Sequence, residues 1–389
     1  MTGPPPTAPT LLSRLTASRT RNRLASSVLP PPYPGMRLTA KRLLNFHLVR
    51  YQRARGHTKL LGYPLVVTLE ATNVCNLKCP YCFTGAGEVA RKRSMMPMPL
   101  FQRLMDELGA YMLHLEFYNW GEPLLNKNTP EMIRIASAKG VSTIISTHLS
   151  VPMDRSRAET LVSSGLALLG AALDGATQKT YEKYRAGGNL ELVLHNLRLL
   201  VEAKQRLGST TPRLCWGYHV FDHNWQEVEL ARKMASELGV EFSATKGWVA
   251  GPEWNDGGQF QFPVGTAPER CRYLWTQGVI NNDGGVAPCS ATFYREDDFG
   301  SVEQTTFKEV WNNDKFRDAR RMYRGRLLSQ YGKSHVCHDC PYTIIWENYQ
   351  HHLAQGFPSA KFNPGFTTND WFNYFFSRRP GHNGAPKAT

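Results

Sequence analysis

From residue 64 to residue 250 the chain alternates between short apolar runs and longer stretches with helical spacing. The apolar runs are 65–70 (LVVTLE), 112–118 (MLHLEFY), 141–147 (VSTIIST), 166–173 (LALLGAAL), 214–221 (LCWGYHVF) and 240–244 (VEFSA). Several are apolar at consecutive positions, as expected of parallel strands covered on both faces. Between them, 99–110, 129–139, 153–164, 177–206 and 224–238 predict helices, the fourth broken near Gly187-Gly188. Six strand–helix units in this order predict an α/β fold, a partial or complete βα barrel. Its chemistry should collect at the C-terminal ends of the strands. The rhythm stops after about residue 250. Residues 278–288 (GVINNDGGVAP) read as a hairpin around Asn282-Asp283-Gly284-Gly285. A helix is predicted near 306–323, then a cysteine-rich loop, then an aromatic, irregular tail from 354.

The domain plan that follows has five parts. Residues 1–36 hold Pro4-Pro5-Pro6 and Pro30-Pro31-Pro32 and are poor in core-forming residues, which predicts a disordered basic Pro/Ser-rich tail. An organellar transit peptide is the alternative reading of that acid-free, Arg/Ser-rich composition. Residues 37–63 form a basic helix leading into the barrel, expected to dock on the body, with peripheral membrane contact as its alternative. The barrel spans 64–250, a small C-terminal domain 251–345, and a tail 346–389.

Charge changes the picture only once it is localised. The net charge is +14, but residues 1–69 contain eleven Lys or Arg and no Asp or Glu. The remainder carries 35 basic and 32 acidic residues, which argues against a nucleic-acid enzyme. No apolar run approaches the roughly 18 residues of a membrane span. No compact apolar signal-peptide core is seen near the N-terminus, so a soluble cytoplasmic protein is expected.

Eight cysteines lie at 75, 79, 82, 215, 271, 289, 337 and 340. Two groups far apart in a long chain fit metal binding in a reducing compartment better than a disulfide scaffold. Cys75, Cys79 and Cys82 follow the first strand directly, in TNVCNLKCPYCF. Three thiolates on a cubane leave one iron without a protein ligand. Zinc fits this spacing poorly, because its sites pair C-x₂-C with a second pair. Cys215 lies inside a strand-like run and reads as a core cysteine.

The segment resembles the CxxxCxΦC motif of the radical S-adenosylmethionine (SAM) superfamily, with Tyr81 as the aromatic position. The resemblance implies a [4Fe-4S] cluster whose open iron chelates SAM. It also implies cleavage of SAM to a 5′-deoxyadenosyl radical that abstracts hydrogen, with electrons from an external donor of the flavodoxin or ferredoxin type. Asn119-Trp120-Gly121-Glu122-Pro123 after the second strand resembles the family's GGE-type motif, with Trp120 in place of its first glycine. Ser146 and Thr147 end the third strand, and Asp174 ends the fourth. Both places resemble family positions lining the SAM ribose and methionine, with strand-end capping as the plainer reading. Arg185 resembles a basic residue that pairs with the SAM carboxylate, with a surface ion pair as its plainer reading.

Cys271, Cys289, Cys337 and Cys340 supply four thiolates, enough for a fully ligated cubane or for zinc on spacing alone. The superfamily context tips this to an auxiliary [4Fe-4S] cluster. The layout resembles the shortened SPASM, or twitch, domain, and most of all that of the aminocyclitol dehydrogenase of butirosin biosynthesis. The fold expectation is therefore a partial (β/α)6-type barrel with a twitch/SPASM-like auxiliary domain. His335 and His338 beside the last cysteines are expected to face solvent, with support of the metal ligands from behind as the alternative.

The resemblance implies an oxidoreductase that dehydrogenates a small polar molecule of sugar or aminocyclitol type, with the auxiliary cluster as electron acceptor. The alternatives are a peptide- or protein-modifying SPASM-type enzyme, or a redox-neutral epimerase or lyase. A winged-helix peptide-recognition module of about 80 residues has no room in the N-terminal segment, which leans the expectation toward small molecules. A base is expected at the barrel mouth among His219, Asp222 and His223, which lie at or beyond the end of the fifth strand.

Overall fold

The protein is described from a computed structural model covering residues 29–31, 33–247, 270–324, 335–338 and 340–355. The expectations for residues 1–28 and for the tail from 356 lie outside the described residues.

The strand–helix rhythm builds one side of the molecule. Strands β1 (Val66–Leu69), β2 (His114–Phe117), β3 (Ser142–Thr147), β4 (Leu168–Ala172), β5 (Arg213–Val220) and β6 (Glu241–Lys246) pair in sequence order, each parallel to its neighbour. Helices α2 (Met98–Leu108), α3 (Thr129–Ala138), α4 (Arg155–Ser163), α5 (Gln178–Tyr184), α6 (Leu190–Arg206) and α7 (Val228–Glu237) connect them. This is the wall of a partial βα barrel, as expected. The predicted helix 177–206 is two helices. The N-cap Asn189, whose side chain accepts from Leu192 N, starts α6 just past the two glycines.

The C-terminal segment continues the same sheet. Strand β7 (Gln277–Ile280) pairs parallel to β1 with Val66 opposite Gln277. The antiparallel β8 (Gly285–Ala287) and β9 (Gly300–Ser301) complete nine strands. Val279, Ile280 and Val286 are fully buried, each contributing roughly 1.5–3 kcal/mol of apolar burial. Val286, Phe299, Phe307 and Trp311 share one core cluster with Leu69, Phe117, Ile145 and Trp216 of the barrel. The cysteine-bearing segment therefore shares the barrel's hydrophobic core.

The single helix predicted near 306–323 is also two, α8 (Phe307–Trp311) and α9 (Asp314–Arg321). A Thr306/Glu309 capping box starts the first, and Asn313 caps the second. A further helix, α10 (Pro341–Ala354), leaves the cysteine loop and crosses the expected 345/346 boundary.

At the opposite end, α1 (Ala40–Ala54) docks on the body and buries Arg42, Asn45, Phe46, Val49 and Gln52. The Arg42 guanidinium donates to the carbonyls of Met112, Gly109 and Lys139, at the N-terminal side of β2 and β3. Tyr33 stacks on His114 at 4.7 Å, so the packed body begins before residue 37. No described helix is long and apolar enough to cross a membrane.

Candidate radical and auxiliary cysteine sites

The C-terminal ends of β1 to β5 carry the loops that the sequence singled out. Gly121 shows how tightly they meet. A Cβ there would stand 1.8 Å from the Thr72 carbonyl oxygen, so only glycine lets the loop after β2 lie on the loop after β1. Glu122 N donates to Val74 O at 2.8 Å, beside Cys75. Pro123, buried, opens a short 3₁₀ turn, Pro123–Leu125.

Two expected ligand-lining side chains are used elsewhere. Glu122 is 1% exposed, and its carboxylate accepts from Leu124 N, from Thr147 Oγ1 at 2.6 Å and from His148 N at 3.0 Å. The Thr147 hydroxyl in turn accepts from Leu149 N. Those groups brace the ends of β2 and β3. Ser146 is half-buried on β3. The Trp120 indole donates to Thr292 O and packs edge-on to Phe83 and Phe293. Tyr81 packs against Tyr184 and Phe221.

Cys75, Cys79 and Cys82 share one loop, with Cys82 N donating to Cys79 O. Burial pushes the Cys75 thiol up to about 12, and raises those of Cys79 and Cys82. Such thiols stay protonated at neutral pH unless metal charge stabilises the thiolate. A three-thiol cluster binding site fits that chemistry.

Arg185 joins this loop to the ends of β4 and β5. Its Nη1 lies 3.9 Å from Cys79 Sγ, and its Nε donates to Asp174 Oδ2 at 2.7 Å. Asp174 is fully buried. Its Oδ1 accepts from His219 N at 2.7 Å and faces His219 Nδ1 at 3.0 Å. Burial opposes its ionisation, yet Arg185 and His219 hold its carboxyl at about 2. Arg185 is thus part of an internal network, not a surface pair.

Of the three expected bases, His219 meets Asp174 at hydrogen-bond distance; its side chain keeps 24% exposure. His223 stacks on the Phe221 ring, its pKa lowered by burial, and Asp222 is exposed. Two buried residues went unnoticed in the sequence. Asn224 donates to the carbonyls of Asp174 and His219, stitching β4 to β5. Glu70 accepts from Trp120 N and Asn282 N, joining the GEP loop to the hairpin. Its place as the charged last residue of an apolar strand run was the available signal.

In the second group, Cys271 precedes a short turn, Cys289 follows β8, and Cys337 and Cys340 lead into α10. Burial raises all four thiols, Cys340 to about 12, and each lies near others of the set. Among the described residues, a tight donor group whose atoms lie within 4.8 Å is formed by Asp318, His335 and His338. The two histidines depart from expectation. Their side chains are 2% and 3% exposed, because the turn folds them beneath α9 and against Phe299. Cys215 is a buried β5 core residue, as expected.

Known proteins agree with this arrangement. The radical SAM superfamily pattern matches residues 69–235, and an iron–sulfur cluster-binding domain, SPASM, matches residues 271–341. The chain belongs to the radical SAM superfamily. It carries an SPASM-type domain, and its cofactors are SAM, a [4Fe-4S] cluster and auxiliary iron–sulfur. A PqqA peptide cyclase of Granulibacter bethesdensis is 25% identical over 67% of this chain and 76% of its own. Fe-coproporphyrin III synthase of Methanosarcina barkeri is 30% identical over 37% of this chain and 35% of its own. The chain spans about a third of the length of the first curated relatives it matches. Among solved structures, Streptococcus suis SuiB bound to S-adenosylmethionine superposes with a TM-score of 0.52 at 17% identity, over 82% of this chain and 80% of that one. That likeness is one of fold.

Proposed function

We propose that this radical SAM enzyme modifies a peptide or protein substrate. The observation that carries the proposal is the match to a PqqA peptide cyclase over 67% of this chain and 76% of that protein. SAM bound at a reduced cluster supplies hydrogen-atom abstraction from carbon. In this reading Cys75, Cys79 and Cys82 hold that cluster, and an external flavodoxin- or ferredoxin-type donor reduces it. Tyr81, Ser146, Arg185 and the backbone of Trp120–Pro123 line the SAM site. Asp174 fixes the Arg185 guanidinium and the His219 ring. Thr147 and Glu122 hold the strand ends in register. His219, oriented by Asp174 and partly exposed, takes up the substrate proton. Cys271, Cys289, Cys337 and Cys340 would hold one auxiliary cluster, which would supply an electron acceptor.

Dehydrogenation of a small polar molecule of sugar or aminocyclitol type is the second reading. The single set of four C-terminal cysteines, the shortened layout, favours it. Label transfer separates the two. Anaerobically reconstituted enzyme is given SAM, a reductant and deuterated substrates: peptides encoded beside its gene, sugars and aminocyclitols. Deuterium from a peptide carbon should enter 5′-deoxyadenosine. Transfer from aminocyclitols or sugars alone would overturn the peptide reading.

A further inference from the structure

Three metal-ligating side chains meet outside both cysteine sets, where α9 packs on the turn that carries Cys337. We propose that Asp318, His335 and His338 form a separate site for a divalent transition-metal ion of the zinc class, bridging α9 to that turn. His335 and His338 come from one turn, closed by His338 N donating to His335 O, which sets their rings 4.3 Å apart. Asp318 comes from α9. Its Oδ2 stands 3.3 Å from Nε2 of each histidine, and the three ligand atoms lie within 4.8 Å of one another. Cys337, though between the histidines in sequence, is not part of that group.

Two of the three separations are those of ligands around an ion, and the third is within 4.8 Å. Tetrahedral zinc with ligands at ~2.0–2.1 Å holds them ~3.3–3.4 Å apart. Charge-assisted hydrogen bonds to a carboxylate are shorter, ~2.7–2.9 Å. A second observation points the same way. The His335 side chain is 2% exposed; its Nδ1 has no hydrogen-bond partner, and its Nε2 has only the Asp318 carboxylate, at 3.3 Å. A buried polar group left so is costly unless something else satisfies it. Two imidazoles and one carboxylate are the donor types that zinc and its neighbours accept, with a fourth position for water. Asp318 keeps 22% exposure, which leaves a path for ion and water. Of the nearby cations, Arg321 Nη1 pairs with the other oxygen of the Asp318 carboxylate, Oδ1, at 3.5 Å, which leaves Oδ2 to the histidines, and the Lys315 ammonium donates to Asp298 O. An ion here would clamp the turn bearing two of the four auxiliary thiols to the core helix beneath it.

The test uses the full chain, anaerobically reconstituted with iron and sulfide, equilibrated with Zn²⁺, desalted and analysed for both metals. We expect about one retained zinc per chain, with nitrogen and oxygen scatterers at ~2.0–2.1 Å in its X-ray absorption spectrum. Asp318→Asn and His335→Gln should keep their iron while losing zinc affinity by at least the roughly tenfold that even outer-shell changes cause. Because Asp318 is partly exposed, its variant folds if its iron content and thermal transition match wild type. Should His335→Gln fail that check, Asp318→Asn decides alone. Absence of retained zinc, zinc indifferent to the substitutions, or sulfur scatterers at ~2.3 Å would each overturn the site.

Discussion

Glu70 is a carboxyl that the fold keeps partly protonated. It directly follows β1, is 1% exposed, and is pushed by burial from 4.5 up to about 7, against the pull of Arg91. The unfolded chain gives up this proton near pH 4.5, and the folded chain only near 7. Stability is therefore full below the lower value and is lost as pH rises through the higher one. The Glu70→Gln variant cannot ionise, so its stability advantage over wild type should grow by roughly 2–3 kcal/mol between pH 5 and pH 8. Urea midpoints of the two holoproteins at both pH values measure this; a constant gap would show that Glu70 does not titrate as its burial implies. At this scale the sequence was informative about residue type and position, less so about side-chain direction. Glu122 and Thr147 stand where the motif predicts them, but their polar atoms bond each other. Arg185 and Asp174 meet because α5 ends where β4 and β5 end, a juxtaposition the chain alone does not display.

Elements were legible wherever their periodicity was complete. The six barrel strands fall within a residue or two of the apolar runs. The errors came from caps and from pairing. Asn313 restarts a helix inside what looked like one amphipathic stretch, whereas the break before Asn189 falls where Gly187-Gly188 placed it, and Pro341 opens α10 in a region dominated by aromatic residues. The pairing of β7 with β1 is a long-range fact, joining residues about two hundred positions apart. Arg91 makes that join specific. From the loop after the first cysteines, it bonds Asp298 at 2.9 Å and Asp283 at 3.0 Å around the β7–β8 hairpin. Burial leaves the Asp298 carboxyl raised to about 6 even with Arg91 in place. Arg91→Ala strands a buried carboxylate and should cost about 3–5 kcal/mol in urea unfolding, with loss of auxiliary iron. A change below about 1 kcal/mol would mean that the hairpin is held by its apolar side alone.

For the whole molecule, the two thiol sets lie on neighbouring parts of one sheet: the first on the loop after β1, the second around β7–β8 and α10. They are linked through Glu70, Arg91 and the Trp120–Thr292 hydrogen bond, and they share one core. Each set nevertheless draws its thiols from its own segment, so each cluster should form without the other. Reconstituted protein should hold roughly eight irons, four for each cubane. Cys75, Cys79 and Cys82 changed together to Ala should remove about half of the iron and abolish SAM cleavage, with the auxiliary cluster retained. Changing Cys271, Cys289, Cys337 and Cys340 to Ala should remove the other half and leave uncoupled SAM cleavage measurable, because no thiol of the first set is touched. Iron analysis and reductant-driven 5′-deoxyadenosine formation read both outcomes. Saturation of wild type at about four irons, with zinc ligated by sulfur in the second set, would overturn the auxiliary cluster. With it would go the electron acceptor on which an oxidative reaction depends.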